Sequence, residues 1–197
     1  MFSKRLFDIV SAVGVVFILF PVFMLIAFWV RTDSAGPVLY RQKRVGKNNK
    51  DFYVYKFRSM ITNADKKGQL TVGMRDPRIT KSGFILRKYK LDEFPQLINV
   101  LNGDMSIVGP RPEVRKYVEL YSEKQKEVLN ALPGLTDPAS LAYINENEIL
   151  GKAADPEKTY IDEVMPAKLE LNLQYIENQT FKNDISLILQ TLKKIVK

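Results

Sequence analysis

The residues in this sequence best suited to chemistry are two adjacent acids, Asp92 and Glu93, within Lys90-Leu91-Asp92-Glu93-Phe94-Pro95-Gln96-Leu97. Proline is tolerated in the first turn of a helix, so Pro95 predicts a helix that starts between Asp92 and Phe94. Arg87, Lys88 and Lys90 lie just before the pair, and Arg111 follows in Gly109-Pro110-Arg111-Pro112, a rigid turn that fixes its guanidinium. A carboxylate at a helix N-terminus amid such cations stays ionised, and the same dipole and cations attract a diphosphate. Two chemistries suit this setting: attack by a carboxylate on phosphorus, and a magnesium ion shared between carboxylates and substrate phosphates. The plainer alternative is that Asp92 is a helix N-cap and Glu93 a first-turn acid that complements the dipole.

Composition narrows the chemistry further. The 197 residues contain no Cys and no His, which excludes a disulfide framework, a thiolate nucleophile, an imidazole base and a soft metal site. Catalysis must rest on carboxylates, Lys, Arg, Tyr or hydroxyls, and an ion must be oxygen-liking, magnesium or manganese. The net charge of +8 is uneven, with +12 over residues 31–90 and −5 over residues 91–197. The basic third needs an anionic partner, whether small-molecule phosphates, a lipid surface or nucleic acid.

The elements that must hold these residues can be read from periodicity. From Ile9 to Val30 there are 22 residues without a formal charge, about 33 Å of helix at roughly 1.5 Å per residue. That suffices to cross a bilayer. Yet Lys4 and Arg5 precede the run while Arg31, Arg41, Lys43, Arg44 and Lys47 follow it, so the positive-inside bias draws both ends to the cytoplasmic side. Pro21 near its middle predicts a break, and together these features favour a re-entrant hairpin over residues 1–32 rather than a span. A signal-anchor helix merely bent at Pro21 is the other possibility.

Residues 33–197 are expected to form one catalytic domain of α/β type, mostly helical with a small β-hairpin. Val38–Arg44 and Phe52–Arg58 predict the hairpin, residues 60–78 a loop with about one helical turn, and Phe84–Lys90 a short helix. Phe94–Leu101 has helical spacing and stops at Asn102 and Gly103. Val114, Tyr117, Val118, Tyr121, Val128, Leu129 and Leu132 predict one longer helix that Pro133 and Gly134 end. The last stretch sets Ile185, Ile188, Leu189, Leu192, Ile195 and Val196 on one face, for core packing or for an amphipathic helix at a membrane interface.

Read in order, Tyr55-Lys56-Phe57-Arg58-Ser59-Met60, Leu91-Asp92-Glu93-Phe94-Pro95-Gln96-Leu97, Asn99-Val100-Leu101, Gly103-Asp104-Met105-Ser106, Gly109-Pro110-Arg111-Pro112 and Pro133-Gly134-Leu135-Thr136 resemble the bacterial sugar transferases, the monotopic phosphoglycosyl transferases. The resemblance runs over nearly the whole chain. The four-helix membrane extension of larger relatives has no counterpart here, so the small form is expected. The resemblance implies a monotopic protein of the bacterial inner membrane with its active site on the cytoplasmic face. It further implies that Asp92 attacks the β-phosphate of a UDP-sugar, releasing UMP, and that a polyprenol (undecaprenyl) phosphate resolves the sugar-phosphoryl aspartate. Glu93 would assist through magnesium or proton handling, while Lys56, Arg58, Arg87 and Arg111 would hold phosphates.

Two departures from the family's pattern stand out. Phe20, not Ser, precedes Pro21, and Asn172 stands where relatives commonly carry an Asp three residues before a Tyr, here Tyr175. The supporting carboxylate is then either missing or supplied by Asp137. A membrane-tethered nucleic-acid binder would use the basic segment but leaves Asp92, Glu93 and the Arg111 turn without a role, so no nucleic-acid partner is expected. A catalytically inactive scaffold for glycan assembly is the remaining rival.

Overall fold

The computed structural model describes residues 2–64 and 76–196, and the middle of the loop expected over residues 60–78 lies outside them. The apolar N-terminal run forms a single helix, α1 (Phe2–Asp33), that continues through Pro21. The expected helix-break-helix is therefore not the local structure at this point, because a proline removes one backbone bond without unfolding its neighbours. One stripe of α1 is buried on the rest of the chain. Ala12 packs with Val54, Leu97, Val100 and Met105, and Ile26 and Val30 pack with Phe57 and Leu86. The opposite stripe is bare, with Phe17 82% and Ile18 73% exposed.

Both ends of α1 are tied to the same body. Near its start, Arg5 donates to the carbonyls of Val100 and Leu101, and the buried Asp8 accepts from the Ser106 hydroxyl and the Ile107 amide. At its far end, Asp33 accepts from the amide and hydroxyl of Ser82. The 32 residues of α1 amount to about 48 Å of helix at ~1.5 Å per residue.

Strands β1 (Leu39–Val45) and β2 (Asp51–Phe57) pair antiparallel, within one residue of the expected bounds, with Tyr40 opposite Lys56. Asn99 extends the sheet, its side chain bonding the carbonyl of Tyr53 and the amide of Tyr55. Helix α2 (Lys81–Lys88) starts earlier than expected, because the Thr80 hydroxyl caps it by accepting from the amide of Gly83. A 3₁₀ turn (Leu91–Gln96) leads into α3 (Leu97–Asn102), which Gly103 ends in a left-handed conformation, as its position predicts.

A second sheet escapes the sequence patterns because its strands are three residues each. Strand β3 (Ser106–Val108) runs parallel to β4 (Gly134–Thr136). Beside it the Gly109-Pro110-Arg111-Pro112 and Pro133-Gly134-Leu135-Thr136 motifs clasp: Gly109 donates to Thr136, and Gly134 to Pro110. A Cβ on Gly134 would sit 2.1 Å from the nitrogen of Gly109, so only glycine permits this approach. The clasp fixes the backbone from which Arg111 projects.

The single helix expected over residues 114–132 is instead three pieces. These are α4 (Arg115–Val118), α5 (Glu123–Lys126) and a 3₁₀ turn (Glu127–Asn130). Ser122 and Gln125 form a capping box, which starts a new helix where the apolar spacing alone suggests continuity. Short helices α6 (Pro138–Ala142), α7 (Glu146–Lys152) and α8 (Pro156–Thr159) lead through a π-turn to α9 (Met165–Glu177). The largest core forms here, with Tyr117, Val118, Tyr121, Leu150, Val164 and Leu169 among its members. The last helix, α10 (Phe181–Val196), half-buries Ile185 and Ile188 but leaves Leu189 and Leu192 exposed. Its stripe thus serves core packing and an open apolar face at once.

Candidate active site

A cavity of about 1220 Å³ opens between the hairpin, the 3₁₀ turn, the Arg111 turn and α9. Alternation along β1 and β2 turns Tyr40, Gln42, Arg44 and Lys56 toward it. Asp92 and Glu93 come from the 3₁₀ turn, Arg87 from the last turn of α2, and Arg111 from the glycine clasp. The structure thus brings Lys56, Arg87, Asp92, Glu93 and Arg111 together around one space.

The two acids differ in their surroundings. Glu93 is held by both cations: Arg111 donates to both of its oxygens, one at 3.0 Å, and Lys56 Nζ lies 3.3 Å from Oε1. Asp92 is 5% exposed, and among the described residues its carboxylate has no hydrogen-bond or ion-pair partner. It is not a helix cap either. The cap position belongs to Lys90, in a left-handed conformation at φ 56°. A carboxylate in so little exposed a side chain, open to the cavity and neither capping nor paired, is costly to folding, and such costs concentrate at functional sites.

Electrostatics separate the pair in the same sense. Burial, and after it the charge of Glu93, raise the Asp92 carboxyl above its ordinary range, against the pull of Lys56 and Arg87. Burial would raise Glu93 as well, but Arg111 and Lys56 outweigh it and hold that carboxyl well below its ordinary range. Burial brings the Lys56 ammonium down to about 8, despite the attraction of Glu93.

Arg58 also lines this cavity, but its donors are engaged elsewhere. Its guanidinium is buried and donates to the carbonyls of Pro37, Ser34, Ala35 and Val30 and to the hydroxyl of Ser34, at 2.6 to 3.2 Å. These bonds close the C-terminal end of α1 and the loop after it, where carbonyls lack helical partners. Asp137 caps α6, accepting from the amide and hydroxyl of Ser140 with both oxygens, and its charge, after that of Glu93, helps raise the Arg111 guanidinium above its ordinary range.

The sequence patterns miss a second polar cluster in the same cavity. Glu113 accepts from Arg44 at 2.8 Å, from the amide of Val114 and from the hydroxyl of Tyr160, and Lys168 donates to Glu146 at 2.6 Å. The inward alternation of β1 could have found Arg44. Nothing local marks Glu146 or Lys168, which tertiary packing alone brings close.

The donor set bears on a divalent ion. Among the described residues no three acidic side chains converge, and both Glu93 oxygens already face cations. Of the acids beside these cationic side chains, Asp92 offers open carboxylate oxygens, and the exposed Glu148 lines the same cavity farther along. A carboxylate together with phosphate oxygens and water is an ordinary magnesium environment, so these residues would fit an ion held partly by a phosphate ligand.

The family model for the bacterial sugar transferases matches residues 1–197. The sequence is 35% identical to the UDP-N-acetylgalactosamine-undecaprenyl-phosphate N-acetylgalactosaminephosphotransferase of Aeromonas hydrophila, over 99% of this chain and 44% of that protein. It is 36% identical to the uncharacterized sugar transferase EpsL of Bacillus subtilis, over 100% of this chain and 88% of the relative. With the UDP-glucose:undecaprenyl-phosphate glucose-1-phosphate transferase of Escherichia coli the identity is 37%, over 97% and 39%. The chain thus spans less than half the length of two of these relatives and most of the third.

Proposed function

We propose that this chain, which belongs to the bacterial sugar transferase family, moves a sugar 1-phosphate from a UDP-sugar to undecaprenyl phosphate in two steps through Asp92. The observation that carries this reading is Asp92, 5% exposed on the cavity wall, whose carboxylate has no hydrogen-bond or ion-pair partner among the described residues, beside a Glu93 that Arg111 and Lys56 already hold. In the first step a carboxylate oxygen of Asp92 attacks the β-phosphorus, the bond from that phosphorus to the bridging oxygen breaks, and UMP leaves with the electron pair. In the second, a phosphate oxygen of the lipid attacks the same phosphorus, the acyl phosphate bond breaks, and Asp92 returns as carboxylate.

Arg111, Arg87 and Lys56 would bind and orient the diphosphate, and Glu93 would keep Arg111 and Lys56 in place. Magnesium, when bound, would neutralise the diphosphate, with Asp92 as its one protein carboxylate. EDTA should therefore stop turnover and added magnesium or manganese restore it; full turnover in EDTA would remove the ion from the account. The deciding experiment is UMP release from a panel of UDP-sugars, with and without polyprenol phosphate. A single burst of UMP without acceptor and continuous release with it is expected, and no release from any donor would overturn the reading.

The same proposal places the chain on the cytoplasmic face of the bacterial inner membrane as a monotopic protein. The bare middle of α1 would be buried in lipid while both its ends stay on one side. This Cys-free sequence allows a clean check. Cysteines introduced at Ser3 and Ala35 should react with an impermeant reagent from the same side, and opposite-side labelling would exclude the arrangement.

A further inference from the structure

The wall of the cavity formed by α9 carries a polar group that the proposed chemistry leaves unused. Asn172 is 5% exposed and lines the cavity, and its Oδ1 is the one buried side-chain polar atom without a hydrogen-bond partner among the described residues. Such an atom costs stability unless something else supplies a donor. Asn172 also borders a small void of about 30 Å³ together with Arg111, which puts the carboxamide beside the cation expected to hold the diphosphate. One turn earlier on the same helix face is Lys168, bonded to Glu146, and both line the same cavity.

Neutral and ionic hydrogen-bonding groups of this kind suit a ring of hydroxyls. A nucleobase would want an open aromatic face to stack on. Of the rings near this wall, Tyr117, Tyr121 and Tyr160 are 3%, 7% and 3% exposed, and Tyr143, half-buried beside Glu146, leaves only part of a face open. Taking the UDP-sugar reading as given, we infer that Asn172 reads the sugar: its unpaired carboxamide, turned toward the cavity, hydrogen-bonds a hydroxyl or N–H of the donor's sugar and so sets which UDP-sugar is preferred.

The test compares the full chain in membrane mimetic with Asn172→Ala and Asn172→Asp, using UDP-glucose, UDP-galactose, UDP-N-acetylglucosamine and UDP-N-acetylgalactosamine with polyprenol phosphate. Asn172→Ala should lose roughly ten- to hundredfold in kcat/KM on the best donor and less on the others, so that discrimination narrows. The KM for polyprenol phosphate should not move. Asn172→Asp keeps the shape and an acceptor oxygen while adding charge, and should retain turnover with a changed ranking of donors. If wild type turns over and both variants keep its ranking, or if Asn172→Ala loses the same factor on every donor, the inference is wrong and the oxygen merely meets water in the small void. Should Asn172→Ala fail to fold, the ranking under Asn172→Asp decides alone. Wild type that releases UMP from none of the four donors overturns the transferase reading, and the inference with it.

Discussion

Two clusters of carboxylates and cations share one cavity, one around Glu93 and one around Glu113, and they differ in what stands beside them. Glu113 is closed on itself, with Arg44, Tyr160 and a backbone amide meeting its oxygens. Glu93 is just as well met by Arg111 and Lys56, yet among the described residues its neighbour Asp92 has no hydrogen-bond or ion-pair partner. Charge density therefore does not separate the two regions. The unpaired and little-exposed Asp92 does, because folding would have disposed of such a carboxylate unless another use kept it there.

The largest effect that could break this comparison belongs to Asp92. Asp92→Asn should lower turnover by at least roughly a thousandfold, as expected when a nucleophile is removed, and should leave the thermal midpoint unchanged or higher, since it takes out a buried unpaired charge. A variant that keeps a tenth of wild-type turnover would mean that Asp92 is structural after all. Glu113→Gln should behave in the opposite way. Turnover of the folded protein should stay within about tenfold of wild type, while stability falls by about 1–3 kcal/mol because Arg44 loses its charged partner. A collapse of turnover without a loss of stability would move the chemistry toward Glu113.

The smallest effect sharpens the first cluster alone. Lys56 binds phosphate only while protonated, and burial lowers its ammonium to about 8. The rate should thus fall as pH rises through about 8. Asp92 must be ionised to attack, and its raised carboxyl predicts an acid limb above the ordinary aspartate range. Lys56→Arg should carry the alkaline limb upward by at least about one pH unit, since arginine keeps its proton. An alkaline limb that stays in place assigns it to another group.

Much of this arrangement is legible in the sequence, and the rest is not for physical reasons. Pro95 and the acids before it mark the turn that carries Asp92, and strand alternation marks the hairpin that carries Lys56, because both signals are local. Arg58 shows the limit of such reading. It sits in a basic, motif-rich stretch, yet its donors serve carbonyls at the end of α1, more than twenty residues earlier. The Ser122 capping box defeats the apolar spacing that predicts one helix over residues 114–132. The three-residue parallel strands leave no period to find, and Glu146 meets Lys168 only through packing of α7 and α9.

Intact-protein mass spectrometry of the wild-type chain and Asp92→Asn, each incubated with a UDP-sugar that supports UMP release and with no lipid acceptor, tests the central claim most directly. Wild type should gain the mass of one sugar phosphate, lose it on addition of polyprenol phosphate, and yield a modified peptide that contains Asp92, while the variant should gain nothing. Sustained wild-type turnover with no adduct at any time, and sugar phosphate reaching lipid only when donor and acceptor are bound together, would contradict the account and require direct attack by the lipid phosphate.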